Sequence, residues 1–102
     1  MTKNELNEQC ALLISKDFGL EPLESSTLTT DVLLDTLTKI VQHFLDKDLN
    51  QLLNILYRID ISESDVKVIL TTAVPDEMSH LLAKKILERE LKKAETRLRY
   101  RP

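Results

Sequence analysis

One glycine in 102 residues is the feature that most restricts how this chain can fold. Tight turns and close backbone approaches draw on glycine, and only three prolines are present to punctuate the rest. Leucine dominates the apolar residues. Such a chain favours helices and offers few turns for an all-β fold. Its length suits one domain, residues 1–102, burying roughly two-thirds of the surface that the unfolded form exposes. Hydrophobic residues make up 42% and charged residues 30%, a balance that argues against disorder.

The same scarcity excludes chemistry. A P-loop and a dinucleotide fingerprint both need several glycines so that backbone can approach phosphate. Cys10, alone, makes neither an internal disulfide nor a cysteine-based zinc site. The opening residues Met1 to Glu5 lack the apolar run of a signal peptide, and no segment is apolar enough to span a membrane. The reading is a cytoplasmic protein with no membrane association.

Periodicity predicts four or five helices in an antiparallel bundle with a long C-terminal helix. The first covers about 3–18: Thr2 and Glu5 have capping-box spacing, and Leu6, Cys10, Leu13, Ile14 and Phe18 share a face. Gly19 suits the left-handed residue that closes a helix, with Leu20 folding back on Ile14. Residues 19–27 read as a connection. A second helix starts among Ser26 to Thr30 and reaches about Lys47. Its wide stripe of Leu33, Leu37, Ile40, Val41, Phe44 and Leu45 suits a central element, although its threonines weaken its intrinsic propensity. Asp48 with Gln51 marks a third start, unless one bent helix runs through Asp46. Leu49, Leu52, Leu53 and Leu56 form its stripe, ending near Asp60. Ser62 with Asp65 is a further cap, and Ile61 with Val66 a hydrophobic staple. Residues 63–72 are rich in β-branched types and have strand as a rival, but a lone strand has no partner, so a short helix is preferred. Pro75 opens the last helix, with Asp76 and Glu77 at its positive end. It runs to about 99, and residues 99–102 form a frayed tail.

Charge divides along the chain. Residues 1–83 carry 6 basic and 14 acidic side chains, net −8; residues 84–102 carry 8 basic and 3 acidic, net +5. Three readings compete for the basic end. In the first, cations simply complement the negative end of a helix dipole on a solvated face. In the second, Leu87, Leu91, Ala94 and Leu98 follow coiled-coil spacing on a helix end that outruns its body, forming a seam for a homodimer or another protein. In the third, Lys84, Lys85, Arg89, Lys92, Lys93, Arg97, Arg99 and Arg101 bind a polyanion. Nucleic acid is disfavoured by a sequence pI of about 5.4 and by the lack of stacking aromatics near these residues.

No catalytic, cofactor-binding or metal-ligating constellation emerges. His43 and His80 each have a carboxylate at helical spacing, and a metal needs more ligands than either can gather. Asp46-x-Asp48-x-Asn50 resembles a calcium loop but has Gln51 in place of glycine and Tyr57 in place of the closing glutamate. Cys10 falls on an apolar stripe and reads as a buried thiol. Tyr57 and Arg58 are types enriched at interaction hot spots. The preferred reading makes Tyr57 a lid on the core and pairs Arg58 with Asp60 or the last carbonyls. The chain therefore reads as a non-catalytic interaction module, self-associating through its last helix, with polyanion binding as the alternative.

Overall fold

The computed structural model describes residues 3–21 and 29–100. Among them are five helices and no strand: α1 (Lys3–Phe18), α2 (Thr30–Lys47), α3 (Leu49–Arg58), α4 (Glu63–Thr72) and α5 (Pro75–Arg99). The chain is an all-α bundle with a long C-terminal helix, as periodicity predicts. The expected cap at Thr2 and most of the expected connection at 19–27 lie outside the described residues.

Local chemistry explains most of the boundaries. Gly19 has φ +66°, and the Leu20 amide donates to the Ser15 carbonyl at 2.8 Å, which closes α1 in a Schellman motif. A Cβ at Gly19 would meet nothing within 4 Å, so backbone conformation, not space, demands glycine here. Leu20 stays 38% exposed. Asp60 repeats the device at the end of α3. Its φ is +70°, and the Ile61 amide donates to the Leu56 carbonyl at 3.0 Å.

Thr29 caps α2 by accepting from the Val32 amide at 3.1 Å. Hydroxyls of Thr36 and Thr38 donate to carbonyls one turn back, which lets threonine sit inside a helix. Asp48 separates two helices rather than bending one. Its amide donates to the Phe44 carbonyl, and its carboxylate accepts from the Gln51 amide at 3.1 Å. The expected Ser62 cap does not form; its hydroxyl meets that of Ser64 instead. Ile61 and Val66, the proposed staple, are both buried in the core. Residues 63–72 are helical, with Thr71 and Thr72 hydroxyls bonded to the Lys67 and Val68 carbonyls.

The structure reverses two expectations of layout. First, α5 rather than α2 is the spine. It packs most extensively on α2 and α1, and it also touches α4. Second, α5 is covered along most of its length: its buried residues run from Ser79 to Ala94, and in the last turn beyond them Leu98 is half-buried. The bundle is elongated along its last helix, and α1 lies against that helix. The rings of Phe18 and Phe44, 5.9 Å apart, join α1 to α2. The helix continues through Arg99, one residue into the expected frayed tail, and Tyr100 beyond it is 76% exposed.

Candidate functional site

The apolar seam foreseen on α5 is largely covered by the chain itself. Leu87 and Ala94 are buried, at 6% and 0% exposure. Leu91 is half-buried and packs against the core, and Leu98 is half-buried near the helix end. The expectation of an exposed stripe fails because α2 and α1, the helices that pack most extensively on α5, supply the cover. Buried Leu33, Leu37 and Val41 of α2 and Cys10, Ala11, Leu13, Ile14 and Phe18 of α1 belong to the same core.

The cations of α5 are also partly engaged. Lys85 pairs with Asp65 of α4 at 3.6 Å. Arg89 donates to the Ile59 carbonyl at 3.1 Å and lies 3.5 Å from Asp60. Lys93 bonds Asp17 of α1 at 3.0 Å, and Arg99 pairs with Glu95 on its own helix. Lys84, Lys92 and Arg97 enter no ion pair among the described residues, and Arg101 lies outside them. Complementarity between an acidic body and a basic end is thus met in part within one molecule, through Lys85, Arg89 and Lys93.

Under Lys93 sits a group that spacing alone did not single out. Glu90 is 0% exposed, on the buried face of α5 between Leu87 and Ala94. Neither of its carboxyl oxygens has a hydrogen-bond donor, and Lys93 Nζ approaches Oε1 at 3.3 Å. Burial pushes its pKa up to about 7. Hydrogen bonding and repulsion from Asp17 add to the rise, and Lys93 partly opposes it. Burial, aided by the Glu90 charge, also pushes the Cys10 thiol up to about 12, which leaves it unreactive as a nucleophile. A sequence signal for Glu90 did exist: at helical period, Ile86, Leu87, Glu90 and Ala94 share a face. The coiled-coil spacing selects Leu91 and Leu98 in its place.

Two surface concavities stand out. One, of about 560 Å³, follows the outer side of α5 past Arg89, Lys92, Lys93, Thr96 and Arg97, with Glu95 among the cations. The other, of about 500 Å³, lies between α3 and α4. Its floor is Leu53, Val66 and Leu70, and Tyr57 stands at its side, 42% exposed. Tyr57 therefore walls a groove rather than roofing the core. Arg58 reaches away from it and donates to the backbone carbonyl of Asp17 in α1, not to Asp60 or to its own helix end. Both histidines are exposed. Asp46, the carboxylate near His43, accepts from Gln42. Among the described residues no group of three His, Cys, Asp or Glu side chains is placed to hold a metal ion, and no helix there is long and apolar enough to cross a membrane. The chain matches no protein-family model, no curated protein and no solved structure.

Proposed function

We propose that this chain is a non-catalytic, cytoplasmic interaction module that pairs with a second copy of itself through the face of α3 and α4. The observation that carries this reading is the groove between those helices. It combines apolar Leu53, Val66 and Leu70 with an exposed tyrosine, the residue type that dominates protein contacts. Its α4 rim carries one charge of each sign, Glu63 and Lys67, and neither enters an ion pair among the described residues. A rim of that kind is self-complementary. About a two-fold axis with antiparallel α4 helices, Glu63 of each copy meets Lys67 of the other. A pairing surface of about 800 Å² per copy is ordinary for a stable dimer, and it would take a small share of the 6571 Å² available. The seam first expected, Leu87 with Leu91, Ala94 and Leu98, is the weaker candidate because two of its four residues are already buried.

Sedimentation over a concentration series tests the reading. The native chain associates, Tyr57→Glu abolishes association, and Glu63→Lys or Lys67→Glu alone weakens it. The double charge swap restores it. A native chain monomeric at every concentration, or association indifferent to Tyr57→Glu, overturns the proposal.

The concavity along α5 favours polyanion binding as a second reading. Three described cations outside ion pairs, Lys84, Lys92 and Arg97, limit its strength. A titration with single-stranded DNA then has a salt slope of roughly −2, since single strands lose about 0.7 per phosphate contact. Absence of binding at low salt excludes it.

A further inference from the structure

A fully buried ionised carboxylate with no hydrogen-bond donor is costly, by several kcal/mol in real proteins. Glu90 meets that description if charged, because its only cation is shared: Lys93 Nζ lies 3.3 Å from Glu90 Oε1 and 3.0 Å from Asp17 Oδ2. One ammonium serves two carboxyl groups. A protonated Glu90 removes the excess charge and gains an O–H that can donate to Asp17.

Among the described residues no other neutralising charge pairs with Glu90. On α1 the groups facing Glu90 are Asp17 and the Cys10 thiol. On its own helix the partner is Lys93. The guanidinium of Arg58, from α3, is committed to the Asp17 carbonyl. Arg89 is held by Ile59 and Asp60, and Lys85 by Asp65 of α4. The side chains that α2 buries are the apolar Leu33, Leu37 and Val41.

We propose that α1 is a proton-dependent clasp on α5: the Asp17–Glu90–Lys93 contact holds it in place while Glu90 is neutral, and ionisation of Glu90 loosens it and uncovers the face of α1 that carries Cys10. The clasp does not rest on the pairing proposed for the α3–α4 groove. Burial and the Asp17 carboxyl move Glu90 from 4.5 to about 7, so ionisation falls near neutrality.

Cys10 reports on the clasp, because it lies on the covered face of α1 at 0% exposure. The experiment measures iodoacetamide labelling of Cys10, relative to the urea-unfolded chain at the same pH, in the native protein and in Glu90→Gln. The expected result is that native protection falls roughly tenfold between about pH 6 and about pH 8 while protection in Glu90→Gln stays level. Protection that falls equally in both proteins, or that is level in the native one, overturns the proposal. Should Glu90→Gln not fold, carboxyl-carbon NMR titration of the native chain decides. A Glu90 midpoint near 7 supports the clasp, and one at the ordinary glutamate value overturns it.

Discussion

At the scale of single residues, a few backbone and charge decisions govern the fold. Gly19 and Asp60 occupy the same left-handed seat at the ends of α1 and α3. Only one is glycine. Gly19→Ala is expected to cost about 1 kcal/mol, since an L-residue pays that for the left-handed conformation even with open space around it. Asp60→Gly relieves the same strain and gives up only an exposed ion pair to Arg89, so it should be neutral or stabilising. Urea denaturation of both variants checks the pair. Glu90 sets the pH response. Its pKa is higher folded than unfolded, so its contribution is complete below about 4.5 and is lost as pH rises through about 7. The full swing is on the order of 3 kcal/mol as an upper bound. Lys93→Met removes the one nearby cation, and Glu90 should then titrate above 7 by carboxyl NMR. Glycine at 19 is readable from sequence because its residue type announces the conformation. Asp60 is not, because aspartate tolerates that conformation without requiring it.

At the scale of elements, hydrophobic period and capping residues made the helices legible. The α4 span agrees with expectation, and Asp48 does what its type and position suggest; the α3 stripe agrees in part, with Leu52 and Leu56 buried, Ile55 buried beside them and Leu49 left 42% exposed. Asp48→Ala should cost about 1 kcal/mol for the lost cap on α3, measured by thermal denaturation. Ser62 shows the limit of capping patterns. It has the right spacing to Asp65, yet Asp65 is drawn to Lys85 on α5 and Ser62 turns to Ser64. A long-range ion pair is invisible to a local motif. Arg58 is similar: its partner is a carbonyl 41 residues away, in α1.

At the scale of the molecule, the α5 stripe expected as a seam between copies is largely covered within one chain. Leu87 and Ala94 do need a cover, and the charges around them do need opposites. The cover comes from α2 and α1, and the opposite charges come from α1, α4 and the end of α3, within the same chain. Which helix lies beside which is a tertiary fact that period and charge leave open. The groove between α3 and α4 was illegible for the same reason, since its walls come from two helices whose approach angle no spacing encodes. The central claim is that α5 is an internal spine and that its stripe holds the monomer together. Chemical denaturation of Leu87→Ala over a range of protein concentrations tests it most directly. If the stripe is internal, the variant loses about 2–5 kcal/mol, the cost of removing a buried leucine side chain, and the loss is the same at every concentration. A loss below about 0.5 kcal/mol that accompanies dissociation of an oligomer, and that vanishes on dilution, would contradict it.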